Sequence, residues 1–180
     1  MHLIFRTLLV MLRRPRTLIG ILDVGRLQFR VLPTDLDVMG HMNNGVYLSI
    51  MDLGRMDLMR KAGAWNRLVK AGVLPVMASE TITFRRSLLP WQRFTVETRL
   101  VGWDDRAIFT EQQIVVGGEV FARATMRGRF VKKSGGVATT AEVFAIAGVD
   151  PEPIDPPDWV RRWAGEVALP PTKASAPSDW

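Results

Sequence analysis

The amino-acid sequence predicts an α+β fold in which an antiparallel sheet folds around one buried helix. One helical segment, residues 46–61, is apolar on nearly every side, as is typical of a helix buried inside a domain. Five other segments alternate apolar and polar residues as half-buried strands do. Short turns join the last four of these segments, which favours antiparallel pairing.

Each predicted element ends at a recognisable signal. The first strand stops at Pro33, and the helix closes at Gly63 with basic residues in its last turn. Gly54 lies within the main apolar stripe of the helix, which indicates that another backbone approaches closely there. The predicted strands cover residues 27–32, 77–86, 94–100, 107–116 and 120–131.

The length of 180 residues suits one domain with an extension at each end. We predict a basic leader helix at residues 1–26, the folded domain at residues 27–149 and a proline-rich arm at residues 150–180. Prolines break the arm, so only residues 159–167 are expected to form a short helix there. We expect the arm to attach loosely and to end in disorder.

The net charge of +6 is concentrated at the start of the chain. Residues 1–30 hold six arginines and one aspartate, a balance of 6 − 1 = +5, which leaves +1 for all the rest. Because the basic excess is not spread over the domain, we predict no nucleic-acid partner. The apolar runs at residues 7–12 and 18–24 are shorter than the roughly 20 residues that span a bilayer.

Two interpretations of this leader follow. We expect it to form a helix packed on the domain with its arginines in solvent, in a cytoplasmic protein. The alternative is a peripheral contact of residues 1–24 with an anionic membrane surface, which would make the protein membrane-associated.

Residue counts restrict the chemistry. The chain has no cysteine, which excludes disulfides, thiolate metal sites and cysteine nucleophiles. It has two histidines, His2 and His41, so a polyhistidine metal centre is excluded as well. We predict no metal site and no cofactor, and His41 is the histidine expected to serve a folded site.

Polar side chains suited to catalysis concentrate in residues 35–44, directly before the helix. The start of a helix offers unpaired N–H groups and partial positive charge, which stabilise an oxyanion. Asp37 is placed to act as a nucleophile or as a general base toward water. His41 and Asn43 would support it, and the pattern favours acyl transfer to water.

The same residues allow a purely structural interpretation. Asn43 or Asn44 would then cap the helix. Asp35 and Asp37 would stabilise the loop as Asx turns, and His41 would be a half-buried ring. From the residues alone, both interpretations stay open.

A resemblance to a known family bears on this choice. Residues 35–47 read DLDVMGHMNNGVY, and Asp52 and Arg55 follow on the helix. This pattern resembles the signature of hotdog-fold thioesterases of the 4-hydroxybenzoyl-CoA thioesterase type. Within that family it is most similar to the branch named thioesterase superfamily member six. The resemblance implies a hotdog fold, a curved antiparallel sheet of five to six strands wrapped around one long central helix.

The resemblance also implies an activity, hydrolysis of an acyl-CoA or acyl-carrier-protein thioester in lipid metabolism. It implies a homodimer or a tetramer with the active sites between subunits. The family's loop aspartate corresponds to Asp37, and its helix-start amides, which would form the oxyanion hole, correspond to Gly45, Val46 and Tyr47. With Asn44, these are the predicted substrate-binding residues. Related plant acyl-carrier-protein thioesterases carry an Asn where this chain has Met39, which leaves more of the chemistry to Asp37. Asp52, the nearby helix carboxylate, is interpreted as structural.

Two other functions compete with hydrolysis. Asp35 and Asp37 resemble the paired aspartates of a haloacid-dehalogenase phosphatase with bound Mg²⁺. Pro33 and the later antiparallel hairpins argue against the parallel strand that this fold requires. A hotdog dimer that binds acyl-CoA without hydrolysis, as a sensor or scaffold, is the second alternative. The CoA phosphates have several candidate partners, which are Arg85, Arg86, Arg123, Arg127 and Arg129. The alternative is that most of these arginines form a solvated face of the sheet.

Overall fold

The computed structural model describes residues 2–13, 15, 17–171 and 174–178. Within these ranges the chain forms five α-helices and five strands. The helices are α1 (His2–Leu12), α2 (Asn44–Lys61), α3 (Ala64–Lys70), α4 (Thr140–Ala147) and α5 (Asp158–Glu166). The strands are β1 (Gly25–Arg30), β2 (Val73–Phe84), β3 (Arg93–Trp103), β4 (Ile108–Val116) and β5 (Glu119–Lys132).

The five strands form one antiparallel sheet in the order β1-β3-β4-β5-β2. The first two strands of the chain therefore lie at opposite edges, and α2 connects them across one face of the sheet. The predicted α+β class and the predicted sheet around one long helix are confirmed. The fold is the hotdog fold.

The main core lies between α2 and the sheet. Tyr47, Ile50 and Met51 of α2 are each at most 1% exposed, and they join sheet residues in one apolar cluster. The prediction of another backbone beside Gly54 is wrong, because side chains of the sheet, not a backbone, approach it closely. A Cβ atom there would lie 2.8 Å from Val96 Cγ1.

The leader packs on the domain through α1. Arg60 of α2 donates hydrogen bonds to the carbonyl oxygens of Val10 and Arg13. The expectation of solvated arginines is wrong for Arg6, which is 9% exposed and forms a salt bridge of 2.8 Å with Asp35. The domain needs a cation there because the Asp35 carboxylate is completely buried.

Membrane contact by residues 1–24 stays a prediction. Ile4, Phe5 and Leu12 of α1 are more than half exposed. Of the helices in the described ranges, none combines the length and the apolar character needed to cross a bilayer. The predicted leader arginines Arg14 and Arg16 lie outside the described residues.

The expectation of a loosely attached C-terminal arm is wrong for the part that extends to the end of helix α5, because this part contacts the domain. The Trp103 amide donates to the carbonyl oxygen of Ile154 at 3.2 Å. Val160 and Ala164 of α5 pack on the outer face of the sheet against Phe109. The predicted helix at 159–167 is confirmed as α5, and it attaches because one of its faces is apolar.

Two short helices lie where no helix was predicted. Helix α3 begins one residue after Gly63, whose left-handed φ of 71° ends one helix and starts the next. Helix α4 begins at a capping box in which the Thr139 side chain accepts from the Glu142 amide. The T-x-x-E spacing is a helix-start signal that the sequence does carry.

Candidate active site

The loop before α2 is tied together at its base by Asp35. One carboxylate oxygen of Asp35, Oδ2, accepts from the Leu32 amide and from the Arg6 guanidinium, both at 2.8 Å. Its backbone oxygen accepts from the Asn43 amide, also at 2.8 Å. The two ends of the loop are therefore held side by side, and the intervening residues project as a closed turn.

Asp37 lies in this turn. Its Oδ1 accepts hydrogen bonds from the amides of Met39 at 2.9 Å and His41 at 3.4 Å. The Asp37 amide donates to the His41 carbonyl oxygen at 2.8 Å. Within the described residues no hydrogen bond reaches Oδ2. The carboxylate is thus oriented through one oxygen, as in an Asx turn, while its other oxygen is available.

Asn43 caps α2. Its side-chain oxygen accepts from the Gly45 amide, and its backbone oxygen accepts from the Val46 amide, each at 2.9 Å. Both amides are therefore engaged. The Asn44 amide has no acceptor in the described part of the chain, so it is an exposed first-turn N–H that is open to a ligand.

Tyr47 forms the inner wall of the site. Its side chain is 1% exposed, and its hydroxyl oxygen accepts from the Leu88 amide at 2.9 Å. Its ring meets that of Phe84 edge-on with centroids 5.1 Å apart. Burial raises the pKa of the Tyr47 hydroxyl, and the hydrogen bond from Leu88 opposes this effect. The hydroxyl is therefore neutral at physiological pH.

These groups surround a pocket of about 230 Å³, here called the loop pocket, which Asp37, His41, Asn44, Tyr47, Phe84 and Arg86 help to line. Four of the sequence-predicted residues thus come together: Asp37, His41, Asn44 and Tyr47. Asn43, Gly45 and Val46 lie beside the pocket at the helix start without lining it. Among the described residues no group of three or more acidic or histidine side chains is placed to hold a metal ion.

Sequence analysis missed the role of Phe84 and Ser87, which reach the loop pocket from the end of β2. Arg86 was one of the arginines considered for CoA phosphates, and it does line this pocket. Its guanidinium lies 5.8 Å from the centre of the Phe121 ring. No sequence signal locates these residues, because the sheet order alone brings the end of β2 beside the loop.

The other candidate arginines lie elsewhere or are paired. Arg85 forms a salt bridge of 2.9 Å with Glu119. Arg127 donates to the Ala164 carbonyl oxygen at 3.2 Å, on the side of the sheet that α5 covers.

A second cavity, here called the helix cavity, lies between the second half of α2 and the sheet. Its volume is about 340 Å³, and most of its lining is apolar. At its wall, Arg55 pairs with Asp52 at 3.0 Å and donates to Gln112 Oε1 at 2.7 Å. The interpretation of Asp52 as structural agrees with this pairing.

Comparison with known proteins identifies a family to which this chain is similar. A model of the Thioesterase-like superfamily matches residues 31–164. The chain is similar to Protein THEM6 of Xenopus laevis, with 40% identity over 99 residues that cover 55% of this chain and 48% of that protein. It is also similar to Protein THEM6 of Drosophila melanogaster, with 27% identity over 136 residues, or 75% of this chain and 69% of that protein. The chain spans about half the length of the vertebrate relatives.

Solved structures support the fold. A protein described as a probable thioesterase from Bartonella henselae aligns with a TM-score of 0.61 at 24% identity, covering 65% of this chain and 98% of that one. A DHNA-CoA thioesterase from Staphylococcus aureus aligns with a TM-score of 0.62 at 14% identity, covering 79% and 90%.

Proposed function

Because the chain belongs to the Thioesterase-like superfamily, whose model matches residues 31–164, we propose that it hydrolyses a thioester of coenzyme A or of acyl-carrier protein in the loop pocket. The observation that carries this proposal is the position of Asp37. Its carboxylate has one oxygen held by backbone amides and the other available, at the start of a helix with an open N–H group.

In the reaction that we propose, the thioester carbonyl oxygen lies at the Asn44 amide. The partial positive charge at the start of α2 stabilises the negative charge that develops on this oxygen. As a general base, Asp37 takes a proton from water while the water oxygen bonds to the carbonyl carbon. The carbon–sulfur bond then breaks, and the thiolate leaves and takes up a proton.

As a nucleophile, Asp37 would instead bond to the carbonyl carbon and expel the thiolate. Water would then hydrolyse the resulting anhydride. Both routes use the same available oxygen. The fixed Oδ1 gives Asp37 one orientation toward the pocket, and His41 lies beside it to position water.

Recognition of the CoA portion is proposed for the rim of the loop pocket. Arg86 lines the pocket, is exposed, and has the Phe121 ring beneath its guanidinium. A guanidinium suits phosphate groups because it donates several hydrogen bonds in a plane.

We also propose that the protein acts as a homodimer joined through the edge strand β2. This strand pairs with β5 on one side, and within the described chain no strand pairs with its other side. Val76, Met77 and Phe84 of β2 remain 38–39% exposed. An unpaired strand edge with apolar side chains favours addition of a second strand. The partner would then lie close to Phe84 at the loop pocket.

Substitution of Asp37 tests the proposed activity. In Asp37→Asn the base or nucleophile is lost while the shape is kept, so kcat for release of free CoA should fall by about 10²- to 10⁴-fold. Asp105→Asn is the control, since Asp105 is an exposed loop aspartate outside the loop pocket. Unchanged turnover by folded Asp37→Asn would contradict the site. Tight acyl-CoA binding without turnover by the wild type would favour the sensor function.

A further inference from the structure

The helix cavity has the properties of a site for an apolar ligand. Its volume of about 340 Å³ falls within the range of roughly 300–1,000 Å³ that small-molecule pockets occupy. Its deep end is lined by Leu68, Phe130, Val143 and Phe144, all of them buried. A dry cavity with such walls binds apolar molecules.

The loop pocket and the helix cavity lie beside the same face of α2. Residues four apart lie on one face of a helix, so Asn44, Leu48 and Asp52 form a stripe. Asn44 lines the loop pocket, Leu48 is half-buried, and Asp52 lines the helix cavity. Strand β2 borders both spaces as well, with Phe84 at the loop pocket and Met77 at the helix cavity.

The charges beside the helix cavity do not suit a carboxylate. Burial lowers the pKa of Arg55, whereas the carboxylates of Asp52 and Glu80 favour its charged form. Arg55 is thus matched by two acidic neighbours and also bonded to Gln112. Apart from Asp52 and Arg55, the described lining offers the hydroxyls of Thr98 and Thr110 and the indole N–H of Trp65 among apolar side chains. The far end of a ligand in this cavity is therefore uncharged.

We propose that the helix cavity holds the distal part of an aliphatic acyl chain whose thioester lies in the loop pocket. This proposal rests on the proposed thioesterase function and specifies its substrate class as long-chain acyl thioesters. An aryl group attached directly to the thioester carbonyl would stay in the loop pocket.

The geometry sets a minimum chain length. Asn44 and Asp52 are eight residues apart, or about 12 Å along the helix axis. An extended chain advances roughly 1.1–1.2 Å per bond, as the extended polypeptide shows. An acyl chain therefore needs about ten carbons to reach the cavity, and longer chains fill it.

Gly128 of β5 offers a way to fill the cavity without touching the loop pocket. It lines the cavity and has the same strand orientation as the buried Met126 and Phe130. A Cβ atom there would contact only the Ile108 carbonyl oxygen, at 3.7 Å. Side chains at position 128 therefore extend into the cavity with ordinary backbone contacts.

The experiment compares wild type, Gly128→Ala and Gly128→Leu on acyl-CoAs with four to 18 carbons. For the wild type, kcat/KM should rise with chain length beyond about ten carbons. Gly128→Leu should lower kcat/KM for the longest chains by at least about tenfold and leave the shortest chains unchanged, since each lost methylene contact weakens binding. The kcat/KM of Gly128→Ala for the longest chains should lie between the values for the wild type and Gly128→Leu.

The control is Gly165→Leu in α5, where a Cβ atom has no neighbour within 4 Å. Its chain-length profile should match the wild type, and thermal melts should show that all variants fold. Binding of 1-dodecanol, an uncharged twelve-carbon chain, measured by calorimetry, gives a readout that needs no turnover. Gly128→Leu should weaken this binding.

The outcomes separate the two proposals. Turnover of short or aryl thioesters with no preference for long chains, or a profile that Gly128→Leu does not change, would overturn the acyl-chain site and leave the hydrolase function standing. Binding of 1-dodecanol that depends on Gly128, without turnover of any acyl-CoA or acyl-carrier-protein thioester, would support the site and refute hydrolysis.

Discussion

Arg6 and Asp35 form a buried ion pair two residues from the proposed catalytic aspartate. Asp35 is completely buried, and its Oδ2 receives both the Arg6 guanidinium and the Leu32 amide. Arg6 also donates to the Arg30 carbonyl oxygen at 2.9 Å. The leader helix α1 thereby supports the base of the loop that carries Asp37.

Arg6→Met should destabilise the protein strongly. Loss of one partner leaves a buried carboxylate unpaired, which costs about 3–5 kcal/mol of unfolding free energy. Urea denaturation measures this loss. Arg13→Met is the control on the same leader, since the Arg13 side chain is exposed. Equal stability of Arg6→Met and wild type would show that the pair is not required.

At the scale of elements, the contact between α2 and the sheet depends on one glycine. A Cβ atom at Gly54 would lie 2.8 Å from Val96 Cγ1 and 2.9 Å from Gln112 Nε2. Gln112 is buried and donates to the Met51 carbonyl oxygen and to Thr98 Oγ1, so it has little freedom to move. The helix approaches the sheet this closely because position 54 lacks a side chain.

Gly54→Ala should therefore reduce the unfolding free energy by about 1–3 kcal/mol through overpacking, although alanine favours helices. Gly165→Ala in α5 is the matched control, because a Cβ atom there meets open space. The control should gain about 0.5–1 kcal/mol from helix propensity. A stabilised Gly54→Ala variant, seen in the same denaturation experiment, would refute the close contact.

At the scale of the whole molecule, the free edge of β2 links the fold to the proposed dimer. The edge carries Val76 and Met77 next to the helix cavity and Phe84 next to the loop pocket. A partner strand along β2 would cover the surface between these spaces. The proposed site would then be complete only in the dimer.

Sedimentation equilibrium tests this assembly. We expect a mass twice the 20.2 kDa of one chain. Val76→Lys should shift the equilibrium toward the monomer, because a charged side chain opposes pairing at a strand edge. Val69→Lys is the control, since Val69 of α3 is 38% exposed against 39% for Val76. A monomeric wild type would contradict pairing through β2. So would a Val76→Lys variant that remains as dimeric as Val69→Lys.

Local patterns in the chain predicted much of the fold. Helix α2 begins two residues before the predicted start, and each predicted strand overlaps an observed one. Periodicity reports these elements because each is long and has a buried face. Helices α3 and α4 were missed because seven or eight residues carry too few periods to stand out from a loop.

Some residues of the candidate site could be predicted from local sequence, and others could not. Asp37, His41 and Asn44 are close in the chain, and the start of the adjoining helix holds them together, so their grouping follows from the sequence by itself. The tertiary structure decided everything that joins distant segments. It placed Phe84 and Arg86 at the loop pocket, Arg6 on Asp35 and the helix cavity beneath α2. Such contacts depend on sheet order and side-chain packing, which local spacing does not encode.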